Sequence, residues 1–262
     1  MRKINEISEL NSLITAHFGR EYVSNWFVSR DDAEKYVAEG RISACELDGS
    51  LFILRERETC GVDFCSLYYC MKKGYVPDLS FITKTTVAET PFRERDVSLM
   101  EADESLCKAG FEREFTRRRM AFVQKDEPVP TLGESMKYAD ENDIPLIEKL
   151  LSESFSPLTS CLPDKDETAS AVREKRFILH KNDGLLHFEK SRASFELRHL
   201  CVSHSARGQG IAGELVLAYN RTLPKKSIVW VREGYVPAEK TYENNGYTAD
   251  GMRSSVLLYK KG

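Results

Sequence analysis

The residue types and spacings best suited to chemistry fall in one run, Leu197-Arg198-His199-Leu200-Cys201-Val202-Ser203-His204-Ser205-Ala206-Arg207-Gly208-Gln209-Gly210-Ile211-Ala212. Its first part reads as a strand ending at Val202, and a turn then delivers Arg207-Gly208-Gln209-Gly210 to the start of a helix. Two glycines let the backbone approach a ligand with no Cβ in the way. The N–H groups and partial positive charge of a helix N-terminus suit a phosphate or pyrophosphate. No Gly-Lys-Ser/Thr follows, so this is not a Walker loop, and it lacks the G-x-G-x-x-G of a dinucleotide fold. No metal site is expected. Cys60, Cys65 and Cys70 recur every fifth residue without a neighbouring His, a spacing read as buried strand cysteines.

The elements that must position this run belong to an α/β layered chain. Its 262 residues are 41% hydrophobic and 30% charged, as expected of one large or two modest globular domains. Lys+Arg 38 against Asp+Glu 41 gives a net charge of −3, which argues against a nucleic-acid partner. No apolar run approaches the ~20 residues of a membrane span. Polar–apolar alternation follows Met1–Glu6 with no signal-peptide core, and seven cysteines form no C-x-x-C pair, so the expected location is cytoplasmic. The run from Gln124 to Gly133, with Pro128 and Pro130, reads as a linker between domains at 1–125 and 126–262. Arg117-Arg118-Arg119 reads as a solvated edge.

In the second half the pattern predicts strands at 135–139, 177–180, 184–190, 194–203, 227–232 and 252–260. Helices are predicted from Asn142 through Phe155, over 167–176, over 211–223 with Leu215, Leu217, Ala218 and Ala212 on one face, and over 236–245.

R-x-x-G-x-A at Arg207–Ala212, after a strand ending Leu-x-Val, resembles the acyl-CoA-binding motif of the GNAT superfamily of N-acetyltransferases. Downstream, Ala238-Glu239-Lys240-Thr241-Tyr242-Glu243-Asn244-Asn245-Gly246-Tyr247 is similar to that family's A-x-x-x-Y-x-x-x-G-F/Y segment. The resemblance covers about residues 134–262. It implies a mixed central sheet flanked by helices, acetyl-CoA as co-substrate, no metal, and transfer of the acetyl group to a primary amine by direct attack. It further implies that backbone N–H groups of Arg207, Gly208, Gln209, Gly210, Ile211 and Ala212 hold the pyrophosphate. Pantetheine would lie between strands 195–203 and 227–231, splayed apart beside Leu200 and Val202, with the Val202 N–H on the thioester oxygen. Tyr242 stands where relatives place the acid that protonates the departing sulfur, and Glu196 where several keep a base. His199 competes as base; strict alternation turns it away from Glu196, Leu200 and Val202, and a bulge would reverse that. His204 is expected to be solvated. Cys201 raises the option of an acyl-enzyme, with packing the stronger reading. Tyr235 replaces an Asn frequent in the family, which puts that CoA contact in doubt.

The first half has no second R-x-x-G-x-A, yet Ala102, Leu106, Gly110 and Phe111 repeat the spacing of Ala238, Tyr242, Gly246 and Tyr247 at an offset of 136. Strands are predicted at 42–46, 51–57 and 62–71, with a splayed strand at 81–89, and Lys72–Asp78 offers neither the second glycine nor a helix. Residues 1–125 therefore read as a degenerate copy of the same fold without the cofactor loop, giving a tandem GNAT-like chain. The alternatives are an acyl-CoA-binding regulatory protein without turnover, and aminoacyl transfer on a related tandem fold. A monomer or homodimer is expected.

Overall fold

The computed structural model describes residues 1–93, 96–125, 131–190, 194–222 and 226–261. The Pro128–Pro130 break lies outside them. The chain forms two units, Met1–Thr116 with Arg253–Gly262, and Arg117–Met252. Among the described residues no helix is long and apolar enough to cross a membrane.

The first unit holds β1 (Arg2–Lys3), α1 (Ile7–Ala16), β2 (Tyr22–Ser24), α2 (Arg30–Ala38), β3 (Ile42–Leu47), β4 (Ser50–Thr59), β5 (Val62–Lys72), β6 (Thr86–Arg93), α3 (Val97–Lys108) and the start of β7 (Glu112–Val123). β3, β4 and β5 form an antiparallel meander. The β3–β4 hairpin turns on Asp48-Gly49, both at positive φ, the conformation that an Asp-Gly turn signal predicts. β5 then runs parallel to β6. Where alternation was read after Glu6, the chain is helical instead. Leu10 is buried, and Ile7, Leu13 and Ile14 pack beside it on the core formed by Ile42, Leu51 and Ile53. That i, i+3, i+6, i+7 spacing is a helix face. Cys65 and Cys70 are buried in β5, but Cys60 is exposed at φ 53° in the β4–β5 turn, so it is not a strand cysteine.

The second unit holds the rest of β7, β8 (Met136–Tyr138), α4 (Ile144–Ser154), α5 (Lys165–Arg173), β9 (Phe177–His180), β10 (Gly184–Lys190), β11 (Phe195–Val202), α6 (Ile211–Thr222), β12 (Lys226–Arg232), α7 (Val236–Asn244) and β13 (Thr248–Tyr259), whose end from Arg253 belongs to the first unit. The strands β8 to β11 are antiparallel neighbours, β11 and β12 are parallel, and β12 pairs antiparallel with β7. Alternation sorts side chains to two faces. Phe177, Leu179 and Leu185 pack with Ile147, Leu150 and Leu151 of α4. Ile178 and Leu186 pack with Ile211, Leu215, Val216 and Tyr219 of α6. Leu217 was expected on that face and is instead exposed. Reciprocal capping boxes, Asp140 with Asp143 and Asp164 with Glu167, start the α4 and α5 segments.

The chain carries this α/β pattern twice. In each unit antiparallel strands lead to a parallel pair with only three matched positions: Cys65–Leu67 on Thr86–Ala88, and Phe195–Leu197 on Ser227–Val229. α3 and α7 end alike. Gly110 and Gly246 have positive φ, and the N–H groups of Phe111 and Tyr247 donate to Leu106 O and Tyr242 O at 3.0 Å. The difference lies between the parallel strands. α6 joins β11 to β12, whereas residues 73–85 between β5 and β6 contain no helix.

Candidate functional site

Beyond Leu197, β11 keeps β10 as its partner through Val202, and β12 keeps β7 through Arg232, so their facing edges part. The Ser203 N–H donates to Asp183 O at 2.7 Å on the β10 side. Alternation therefore turns the backbone groups of Leu200 and Val202 to the opposite, splayed edge. Val202 O there accepts from Arg207 Nε at 3.3 Å.

A bulge precedes these residues. His187 opposes His199 while Phe188 opposes Leu197, leaving Arg198 extra. The bulge changes parity only across Arg198, and His199 still points away from Leu200 and Val202. Leu197, Leu200 and Val202 join the core under α6, whereas Cys201 packs in the α4 core and His199 contacts Phe155 edge-on.

At the end of the splayed edge the turn passes through Gly208 at φ 80° and Gly210 at φ 86°. Nothing lies within 4 Å of a Cβ built on either, so the backbone conformation, not crowding within the chain, demands glycine. Buried Ala206 and Ile211 fix the turn to the core while residues 207–210 stay exposed. The first N–H groups of α6 have no intrahelical acceptor. An exposed arginine, two open glycines and a helix start are a donor set that fits a pyrophosphate.

Tyr242 is buried on α7, its ring edge-on to Tyr247 at 5.5 Å. Burial, reinforced by Tyr247 and Cys201, holds its phenol above the usual range. Glu196 is half-buried and accepts from Arg198 NH1 at 2.7 Å. His199 is buried with both ring nitrogens engaged, Nδ1 to His187 Nδ1 at 3.0 Å and Nε2 to Ser160 O at 2.8 Å, so neither faces an incoming molecule. The Cys201 thiol donates toward Leu150 O at 3.7 Å and is pushed up to about 12 by burial, which suits packing and not a nucleophile. His204 and Tyr235 are exposed.

The arginine run is not a solvated edge. Arg117 donates to Thr159 O, Arg118 pairs with Glu239 at 2.9 Å, and Arg119 pairs with Asp250 at 2.8 Å. These contacts tie β7 to the α4–α5 loop, to α7 and to β13.

The first unit fills the matching edge with its own chain. β2 pairs antiparallel with β5, Tyr22 on Lys72 through Ser24 on Cys70. Asn25 then enters the gap. Its Nδ2 donates to Leu67 O at 3.1 Å and Glu89 O at 3.0 Å, and its Oδ1 accepts from Tyr69 N–H at 2.7 Å. Tyr69 lies two residues past the last parallel pair; in β11, allowing for the bulged Arg198, that place is Leu200. The β5 edge, equivalent to the β11 edge at Leu200, is thus satisfied by the first unit's own chain.

No family model matches the chain, and no curated protein matches it. Solved structures do. A GCN5-related N-acetyltransferase from Sphaerobacter thermophilus has a TM-score of 0.54 at 13% identity, over 88% of this chain and 86% of that one. One from Kribbella flavida has a TM-score of 0.52 at 12% identity, over 84% and 90%. A GCN5-related glucosamine N-acetyltransferase region of a fungal multi-domain β-N-acetylglucosaminidase has a TM-score of 0.55 at 12% identity, over 85% of this chain and 32% of that one. The likeness is one of fold: the chain has the architecture of the GCN5-related N-acetyltransferases.

Proposed function

We propose that the chain moves an acetyl group from acetyl-CoA to a primary amine by direct attack in a ternary complex. The observation that carries this reading is the open edge at Leu200 and Val202, which ends on the glycine turn Arg207–Ala212 in the second unit. Pantetheine amides would bond that edge as an added strand, and the turn would hold the pyrophosphate through Gly208, Gln209, Gly210, Ile211 and Ala212 with Arg207 beside it. The Val202 N–H would meet charge developing on the thioester oxygen. The amine nitrogen attacks the carbonyl carbon, the new C–N bond forms and the C–S bond breaks. Glu196, directly or through water, takes the proton lost by nitrogen, and Tyr242 gives its proton to the departing sulfur. Residues 1–125 are read as a degenerate copy and 126–262 as the catalytic part; β2 and Asn25 on the β5 edge support the first assignment.

Acetyl-CoA consumption across a broad panel of amines, without tRNA, tests the reading. Turnover is expected. Acetyl-CoA binding without turnover on any amine would favour the regulatory alternative, and a tRNA requirement the aminoacyl one. Calorimetry is expected to find one acetyl-CoA per chain; two would overturn the assignment of the first half. Cys201→Ala should keep turnover within about twofold and leave no acyl-enzyme trapped on quenching.

A further inference from the structure

In the second unit the loop at residues 155–164 is bound through two adjacent carbonyls. Thr159 O accepts from Arg117 on β7, and Ser160 O accepts from His199 Nε2 on β11. Those strands flank β12, with Arg117 directly opposite Arg232. The loop is therefore a strap across the β11–β12 gap on the α4 side.

The tie to β11 belongs to a buried chain: Ser160 O, His199, His187, Glu189, Arg176. His187 Nδ1 and His199 Nδ1 are 3.0 Å apart, and His187 Nε2 lies 3.1 Å from Glu189 Oε1. Arg176 pairs with the other oxygen of Glu189. Phe177 stacks on His187 at 4.2 Å, and Phe155 meets His199 edge-on.

Counting protons decides what this chain needs. A carbonyl oxygen accepts and cannot donate, and Glu189 is ionised. Burial alone would raise the Glu189 pKa, but His187 with Arg176 and Arg198 brings it below the usual value. Each end contact thus needs an N–H from a ring, and the contact between the rings needs a third. Two neutral imidazoles carry only two. We infer that the His187–His199 pair takes up one extra shared proton and that this proton latches the strap to β11.

When the extra proton leaves, one of the three contacts must fail. The contact to the Glu189 carboxylate is charge-assisted and is retained. His199 then donates through Nδ1 to His187, and its Nε2 lone pair faces Ser160 O. The strap is released at that point. The charged groups around the pair, among the described residues, include Glu189 on β10, Arg176 ahead of β9 with Glu174 behind it, Arg198 on β11 with Glu196 paired to it, and Arg117 on β7. Burial and the three arginines resist the added charge, so latching belongs to the acid side of the ordinary imidazole range. On the acyl-transfer reading the strap gates one face of the gap; the proton count does not depend on that reading.

Nitrogen-15 NMR of the histidine rings in the full chain, titrated from neutral pH down to the acid limit of folding, tests the count. Three protonated nitrogens on His187 and His199 are expected at the acid end and two at the other. Amide protection of residues 156–162 should fall through the same midpoint. Two protonated nitrogens throughout, or strap protection indifferent to pH, would overturn the proposal. His187→Asn places an amide donor where His187 Nδ1 stood, facing His199 Nδ1, and leaves Nε2–H on Ser160, so its strap should stay protected at every pH. A wild-type midpoint in that variant would count against the pair as the sensor. The wild-type titration decides alone should the variant not fold.

Discussion

On the proposed reading, Tyr242→Phe is expected to lower turnover by about 10²- to 10³-fold while acetyl-CoA affinity changes little. The substitution removes one oxygen and leaves the ring edge-on to Tyr247 in the core under α6 and α7. Among the described residues its hydroxyl has no hydrogen-bond partner to lose, so folding stability should change by no more than about 1 kcal/mol. The effect falls on bond breaking because a thiolate leaves poorly without a proton. Burial raises the phenol, and the same dry surroundings raise a thiolate held beside it, so the proton passes as the C–S bond lengthens. The sign for pH follows. A phenol held above its usual range stays protonated through neutral and mildly alkaline pH, so Tyr242 contributes no loss of turnover on the basic side there. Steady-state kinetics with a thiol reagent, together with calorimetric binding of acetyl-CoA, separates the two quantities. Unchanged turnover removes Tyr242 from the reaction; a fall in affinity that matches the fall in rate makes it a packing residue.

The parts of this site that were legible in the sequence are those that local backbone chemistry dictates. Gly208 and Gly210 announce a turn because their φ values of 80° and 86° exclude most other residues. The strands β9 to β12 and the helices α6 and α7 carry their own periodicity, and their predicted limits fall within about two residues of the observed ones. What escaped depends on partners far away in the chain. Nothing near Arg198 signals that β10 will pair with a one-residue slip, yet that slip puts Leu197 on the same face as Leu200 and Val202, with His199 on the other under Phe155. The arginines at 117–119 look like a solvated run until β7 is placed beside β12 and β13, where each has its own acceptor. His187 sits alone in its strand, and only the fold brings it onto His199. Asn25 is the extreme case, an amide between Ser24 and Trp26 whose three partners lie at Leu67, Tyr69 and Glu89. The four-position echo of Ala102 to Phe111 was legible because both helices end on the same glycine turn.

Asn25→Leu is expected to cost about 3–6 kcal/mol of stability, because three buried backbone groups lose their partner together. Leucine keeps asparagine's branched outline, but its two methyl groups are bulkier than the amide, so some overpacking adds to the lost hydrogen bonds. Leu67 O, Glu89 O and the Tyr69 N–H are held in a gap that the Tyr69–Thr90 hydroxyl contact, 2.9 Å, bridges farther along. Water cannot easily replace the amide there, since Asn25 is only 2% exposed. Asn25→Asp should be as damaging near neutral pH: it keeps an acceptor for Tyr69 but sets a carboxylate against two carbonyls. Urea unfolding followed by circular dichroism reads both. A loss below about 1 kcal/mol would mean that β5 and β6 zip together once the amide is gone, and the gap would then be a consequence of Asn25 and not a fixed feature of the fold. The comparison with the second unit turns on that point. A fold that fixes the gap must satisfy the edge of β5 with its own chain, and on the proposed reading the equivalent edge at Leu200 and Val202 is where acetyl-CoA bonds. Acetyl-CoA should therefore raise the melting temperature of the wild-type chain by binding that edge, yet leave the Asn25→Leu deficit in the first unit uncorrected, because a first unit with no glycine turn cannot accept the ligand in place of the lost amide.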